Sequence, residues 1–146
     1  MNEHRLVDRL TAYWNNARKE AAMPEFAQFN SSAIEDIWQQ CVLFTVMPAA
    51  DGKTPSLNFY RVGDKVRQVY GQDMSGKIFN PAQKHFQGAA VVRKASEVLA
   101  NPVPLVDMGQ FINAGNKVVK YRSCLLPFGT GNKVTHIIAG LSWREF

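Results

Sequence analysis

The apolar positions near the start of the chain repeat at the spacing of a helix. Within residues 3–20, Leu6, Leu10 and Trp14 each follow the previous one by four residues, which places them on one helical face, and Tyr13 lies beside them. The pattern predicts an amphipathic N-terminal helix.

The next pattern combines a short helix with two strands. Ser32 and Glu35 have the spacing of a capping box, in which the hydroxyl and the carboxylate each accept from a free backbone amide. Residues 41–46 and 57–63 are rich in β-branched and aromatic residues and are predicted to be strands.

The second half of the chain begins with helices and ends with strands. Asp64 is positioned to cap a short helix that Gly71 ends in a left-handed conformation. Asn80 has the features of a cap for a longer helix that stops at Asn101. Three strands joined by Gly/Asn hairpin loops follow, at 103–112, 117–128 and 133–143.

This order of elements favours an α+β fold with a five-stranded antiparallel sheet, helices on one face and an N-terminal amphipathic helix. No linker-like segment or internal repeat interrupts the sequence, so a single domain is expected. Within it, residues 1–40 form a helical segment packed on a core of 41–146.

Composition narrows the class of protein. Apolar residues make up 46% and charged residues 20% of the 146 residues, which is typical of a globular domain. No apolar run is long enough to span a membrane, and the N-terminus has no signal-peptide pattern. The two cysteines, Cys41 and Cys124, lie in apolar stretches. A disulfide scaffold is therefore not favoured, and a cytoplasmic location is expected.

The net charge of +5 and the isoelectric point near 9.4 raise the possibility of a nucleic-acid partner. The basic residues, however, are scattered along the chain and no base-reading motif accompanies them. A solvated basic surface is the favoured interpretation, and nucleic acid is not expected as a partner.

Residues 70–79, "YGQDMSGKIF", have most of the spacing of a phosphate-binding loop. Such a loop needs a strand before it, a helix directly after it, and Ser or Thr behind the lysine. Here a helix comes first and Ile78 follows Lys77, so a turn is predicted and not a nucleotide site.

The same region carries a resemblance. "FYRVGDKVRQVYGQDMSGK", residues 59–77, resembles the signature of a PAS (Per-Arnt-Sim) domain, with a strand, a short helix, a glycine and an acidic turn ending in Gly-Lys. More specifically, the chain is similar to small stand-alone bacterial PAS-like proteins. The matching elements are Trp14 with Arg18, Pro24, Phe59 to Gly63, and Leu125-Leu126-Pro127.

The resemblance implies a sensory or interaction domain without catalysis of its own, acting in bacterial signalling through a small-molecule ligand, a signalling protein, or both. It also implies a homodimer through the N-terminal helix, with Leu6, Leu10, Tyr13 and Trp14 as candidate interface residues. The alternative that these side chains pack on their own sheet stays open.

Strand alternation supplies the candidate pocket. Tyr121 and Ser123 share one face of their strand while Lys120 and Arg122 share the other, so two polar groups point into an apolar interior. Either they line a ligand pocket or they bond to the protein's own backbone. The hypothesised pocket residues are Tyr60, Tyr70, Phe86, Met108, Tyr121 and Ser123.

Known cofactors of the family are not favoured, and the ligand is left unknown. His85 begins the helix that supplies a haem ligand in some PAS domains, but no second feature supports haem. Flavin-binding relatives carry an Asn-Cys-Arg-Phe motif, and residues 71–79 contain no cysteine. The histidines and cysteines lack metal-ligand spacing.

Two alternatives come from other classes of protein. A small α+β isomerase or dehydratase would need an acid–base pair on the concave sheet, and His136 with Asp107 is the pair that the sequence offers, on strands expected to be neighbours. A dimerisation module with a dry core is the other alternative.

Overall fold

The computed structural model describes residues 3–48, 55–79 and 94–146. Helix α1 (Glu3–Arg18) comes first and is followed by two 3-10 helices, Phe26–Gln28 and Ser31–Gln40. The remaining elements are β1 (Cys41–Met47), β2 (Ser56–Val62), α2 (Asp64–Tyr70), β3 (Ile78–Phe79), α3 (Ala95–Ala100), β4 (Leu105–Ile112), β5 (Val118–Thr130) and β6 (Lys133–Glu145).

The strands form one antiparallel sheet in the order β3-β2-β1-β6-β5-β4. Five of them are long, and β3 adds two residues at the edge beside β2. The predicted α+β fold with a five-stranded antiparallel sheet is confirmed. β4, β5 and β6 are consecutive hairpin-connected strands, as the Gly/Asn loops predicted.

The two faces of the sheet carry different helices. We call the face covered by α2 and α3 the inner face. There Asn113 Nδ2 donates to the Val69 carbonyl of α2 at 2.8 Å. The rings of Tyr70 and Phe111 also meet there with centroids 5.1 Å apart. We call the opposite face, covered by α1, the outer face. Tyr121 and Ser123 of β5 point to the inner face, and the residues between and beside them point outward.

Helix α1 packs closely on the outer face because the sheet beneath it lacks a side chain. A Cβ at Gly140 would overlap a terminal methyl group of Leu10, so a larger residue there would force the Leu10 side chain to move. Trp14 Nε1 donates to the Pro127 carbonyl at 2.6 Å. Arg9 pairs with Asp36, which connects α1 to the second 3-10 helix.

Two predicted helix caps are wrong. The segment after residue 30 is a 3-10 helix whose cap is Asn30, with its side chain accepting from the Ser32 amide at 3.0 Å. Ile34 has non-helical angles (φ −126°, ψ 22°), and this kink after the first turn breaks the geometry that a Ser32 capping box requires. The α2 cap is Gly63, so Asp64 is the first helical residue.

The 70–79 segment is a turn, as predicted. Gly71 ends α2 in the left-handed region at φ 76°. Asp73 Oδ1 then accepts from the Ser75 amide at 2.9 Å, and the Gly76 amide donates to the Phe59 carbonyl at 2.7 Å. The chain continues into β3, so no helix begins directly after this loop.

The helix predicted from Asn80 to Asn101 falls largely outside the described residues. Within them, α3 begins at Ala95, with Lys94 as its N-terminal cap. α3 stops at Ala100, with Asn101 as its C-terminal cap, where the sequence predicted the helix to end. None of the helices in the described ranges is long and apolar enough to cross a membrane.

We expect Leu10→Ala to lower the free energy of unfolding by about 2–5 kcal/mol, because Leu10 is fully buried against Gly140. Urea denaturation checks this, with the exposed Asp8→Ala on the same helix as a control that should stay within about 0.5 kcal/mol of wild type. The loss should not depend on protein concentration. A concentration-dependent loss would assign Leu10 to a contact between chains.

Candidate functional site

The inner face of the sheet holds a group of buried polar side chains. Tyr121 is 5% exposed and Ser123 is fully buried, as strand alternation predicted for an inward-pointing pair. In the antiparallel register Ser123 lies opposite Asp107 of β4, and Tyr121 lies opposite Gly109. Asp107 is itself only 7% exposed. We call Tyr70, Asp107, Tyr121 and Ser123 the inner polar cluster.

Gly109 makes room for the phenol of the cluster. A Cβ at Gly109 would lie 2.6 Å from the Tyr121 hydroxyl oxygen and 3.0 Å from the ring carbon that bears it. The Tyr121 side chain therefore lies across the bare backbone of β4. Phe111, two residues along β4, meets the Tyr121 ring with centroids 6.0 Å apart, so aromatic rings continue from Tyr121 to Tyr70 of α2.

The electrostatics keep the Tyr70 phenol neutral. Burial raises the pKa of Tyr70 well above its usual value, and the nearby Tyr121 phenol raises it further. A neutral phenol can both donate and accept a hydrogen bond. Lys94 Nζ lies 3.9 Å from Asp107 Oδ1, so the buried carboxylate has a cation beside it at the start of α3. The cluster thus offers hydroxyl groups and one carboxylate in an otherwise apolar surrounding.

Two of the predicted pocket residues lie elsewhere. Met108 is 61% exposed on the outer face, because it is one residue out of phase with Asp107 and Gly109. Tyr60 is 55% exposed, because a β-bulge between Leu43 and Phe44 places it out of the paired register that keeps Phe59 on the inner face. The predicted Phe86 lies outside the described residues.

Sequence reasoning missed Gly109 at this site and named Asp107 only as half of an acid–base pair with His136. Both Asp107 and Gly109 lie within β4. The signal was present in the alternation of "LVDMGQFI", which places Asp107, Gly109 and Phe111 on the same face of a strand.

The candidate interface residues of α1 are used within the chain. Leu6, Leu10 and Trp14 are all at most 3% exposed and belong to the core, so the packing alternative is the one observed for them. Tyr13 is half-buried, and its hydroxyl oxygen accepts from the Asn30 amide at 2.7 Å. A contact between chains through α1 would need its exposed side.

The proposed acid–base pair is not assembled. Asp107 points to the inner face from β4, whereas His136 points to the outer face from β6, with β5 between them. The expectation of neighbouring strands is wrong as well. His136 instead stacks on Phe26 with ring centroids 3.7 Å apart, and its Nδ1 lies 2.8 Å from Thr135 Oγ1. A packed outer-face imidazole has no access to a reaction at Asp107.

Comparison with known families agrees with this architecture. A PAS-domain family model matches residues 2–142, nearly the whole chain. The chain belongs to the PAS domain family. PAS domains are in general sensory and interaction modules, and the resemblance drawn from residues 59–77 is confirmed.

Among solved structures, the PAS chain is similar to an RsLOV variant, with 13% identity and a TM-score of 0.48 over 79% of this chain and 69% of that one. It is also similar to the PAS domain of an HTR-like protein from Haloarcula marismortui, with 16% identity and a TM-score of 0.45 over 80% and 91% of the two chains. A search of the curated protein sequences finds no significant match.

The cysteines of this PAS domain are buried structural residues. Burial raises the pKa of Cys41 to about 12 and that of Cys124 to about 11, so both remain neutral thiols. Within residues 3–48, 55–79 and 94–146 no group of His, Cys, Asp and Glu side chains could hold a metal ion.

We expect Gly109→Ala to destabilise the domain by about 1–3 kcal/mol, because the new methyl group displaces the Tyr121 hydroxyl. Tyr121→Phe removes the nearest atom, so Gly109→Ala should cost less in that background. A double-mutant cycle by urea denaturation measures the coupling, expected to be at least about 0.5 kcal/mol. Additive effects would contradict the close approach of Tyr121 to Gly109.

His136 predicts a pH dependence of stability. Burial lowers its pKa below the ordinary 6.5, so the unfolded chain takes up the proton more readily than the folded one. The stability from the neutral ring is complete above pH 6.5 and falls as the pH decreases through 6.5 towards the lower folded value. Melting temperatures from pH 8 to 5 should fall less for His136→Phe than for wild type, whereas a His4→Gln control should follow wild type. Identical slopes for His136→Phe and wild type would contradict this assignment.

Proposed function

We propose that this PAS domain binds a small amphipathic molecule at the inner polar cluster and passes the signal on by contact with a partner protein. The observation that supports this proposal is the concentration of hydroxyl and carboxylate groups on one buried face. A few polar groups placed among apolar and aromatic side chains are typical of small-molecule sites, where they orient the ligand.

The cluster suits a particular kind of ligand. Tyr121 and Ser123 offer hydroxyl groups, Asp107 offers an acceptor, and the rings of Phe111 and Tyr70 offer apolar contact. A flat or aliphatic body with one or two polar substituents would match these groups. Haem and flavin are not the ligands that we propose, since no second sequence feature supports haem and residues 71–79 contain no cysteine.

β5 contributes Tyr121 and Ser123 to the inner polar cluster on one face and contacts helix α1 on the other face. Ser123 points inward and Cys124 outward from neighbouring positions of β5, and the Pro127 carbonyl of β5 accepts from Trp14 of α1. A ligand that shifts β5 would therefore move α1. A homodimer, if it forms through α1, would use the helix side that the sheet leaves exposed.

The setting that we propose is bacterial signalling in the cytoplasm. This part of the proposal rests on the resemblance of the chain to small stand-alone bacterial PAS-like proteins. The isomerase alternative loses its support, because its acid–base pair is divided between the two faces of the sheet.

The test is native mass spectrometry of protein purified without added ligand, followed by extraction and identification of any bound molecule. Wild type is expected to carry a mass excess that Tyr121→Phe loses or reduces severalfold. The matched control is Tyr60→Phe, which removes the same hydroxyl from an exposed tyrosine and should retain the ligand.

Two results would reject the ligand site. One is equal ligand occupancy in Tyr121→Phe and Tyr60→Phe. The other is a bare chain mass together with a negative NMR screen. In that screen, small amphipathic molecules are added to the labelled protein and none of them perturbs the Tyr121 or Ser123 signals. Circular dichroism of each variant confirms that the fold is retained.

A further inference from the structure

A basic groove lies on the outer face, over the strands at the end of the sheet where β5 begins and β6 finishes. It encloses about 710 Å³ and is lined by Met108, Gly109, Gln110, Lys120, Tyr121, Arg122, Arg144 and Phe146. Three of these residues are cations: Lys120 and Arg122 on β5, and Arg144 on β6. We call this the basic groove. It shares Tyr121 with the inner polar cluster, whose other members, Tyr70, Asp107 and Ser123, do not line it.

The register of the sheet forces like charges together in this groove. Lys120 of β5 lies directly opposite Arg144 of β6, and both side chains are exposed on the outer face. Like charges at directly opposed positions of an antiparallel pair are destabilising. The free protein therefore carries an electrostatic cost that an anionic partner would remove.

Nearby carboxylates do not offset this cost. Asp107 and Glu145 are the acidic neighbours along β4 and β6, and strand alternation directs both to the inner face. In the part of the chain that the structure describes, no carboxylate forms an ion pair with Lys120 or Arg144. The positive potential of the groove is thus open to an incoming ligand.

The cations lie against soft and apolar groups. Lys120 Nζ lies 4.9 Å from the centre of the Phe146 ring, and Arg122 Nη2 lies 3.4 Å from the Met108 sulfur. Phe146 and Met108 are 64% and 61% exposed. A ligand that fills the groove would therefore need apolar groups as well as negative charge.

The neighbouring strand extends the groove into an apolar edge. β4 is the edge strand of the sheet, and its outward side chains Val106 and Ile112 are 48% and 52% exposed on the same face as Met108. These apolar side chains lie on one side of the groove, and Lys120 and Arg144 lie on the other. An extended segment that lies on the outer face between them would direct alternate side chains to the cations and to the apolar residues.

We propose that the basic groove and the outward side chains of β4 together dock an extended acidic segment of a partner protein, in which acidic and apolar residues alternate. The acidic residues would neutralise Lys120 and Arg144, and the apolar ones would cover Met108, Val106 and Ile112. A membrane surface fits less well, since the cations line a concave groove beside a row of apolar side chains rather than a protruding tip.

The binding experiment uses two short fluorescent peptides added to the full chain. In one, glutamate alternates with valine; in the other, glutamine replaces every glutamate. Fluorescence anisotropy should show binding of the acidic peptide only, weakening as salt rises. Backbone NMR spectra should place the perturbed signals in β4 and at Lys120 and Arg144. Vesicles with phosphatidylserine form a third arm and should not bind.

The charge test compares two double variants with the same change in net charge. K120Q/R144Q should weaken binding of the acidic peptide by about tenfold or more, since it removes both cations of the opposed pair. The control, K65Q/K133Q, removes two exposed lysines outside the groove and should stay within about twofold of wild type.

A third variant separates lost binding from lost folding. K120E places a carboxylate opposite Arg144, so the cross-strand repulsion becomes an attraction. It should melt at or above the wild-type temperature and still lose the acidic peptide. The proposal is overturned if neither peptide binds, if both bind equally, if the two double variants weaken binding equally, or if only the vesicles bind.

Discussion

The architecture depends on the burial of one strand from both sides. β5 is continuously buried from Ser123 to Gly129, with α1 on its outer face and the core beneath α2 and α3 on its inner face. A strand in this position cannot change a residue on one face without affecting the packing on the other. Its hydrogen-bonded neighbours, β4 and β6, hold its register over nearly its whole length.

Close approach on both faces depends on missing side chains in the neighbouring strands. On the outer face the bare backbone at Gly140 receives Leu10 of α1, and on the inner face the bare backbone at Gly109 receives the Tyr121 ring. Because protein interiors are close-packed, each glycine fixes the height at which the next layer lies. A glycine in a neighbouring strand therefore sets the position of α1 on one face of the sheet and that of the inner polar cluster on the other.

The sequence predicted what depends on local periodicity. The alternation along "VVKYRSCLL" is strict, so the inward direction of Tyr121 and Ser123 and the outward direction of Lys120 could be read from it. The spacing of Leu6, Leu10 and Trp14 likewise predicted the helix face, although the pattern alone could not tell a sheet from a second chain as its partner.

Features that depend on cross-strand register or on irregular backbone could not be predicted from the sequence. Met108 was assigned to the pocket because its phase relative to Tyr121 is set by cross-strand pairing, which leaves no local signal. Tyr60 was misplaced by a bulge, and the Ser32 cap by the kink at Ile34. His136 and Asp107 are compatible with catalysis one at a time, and only the sheet topology separates them.

Strand β6, whose Gly140 lies beneath α1, also separates the two cysteines from each other. Cys41 and Cys124 both lie opposite Gly140, one on each side of β6, so two strand spacings, roughly 9–10 Å, separate their backbones. A disulfide requires Cα atoms within about 7 Å. Leu10 fills the space above the intervening glycine. The folded domain therefore has two thiols in one core that cannot form a disulfide with each other.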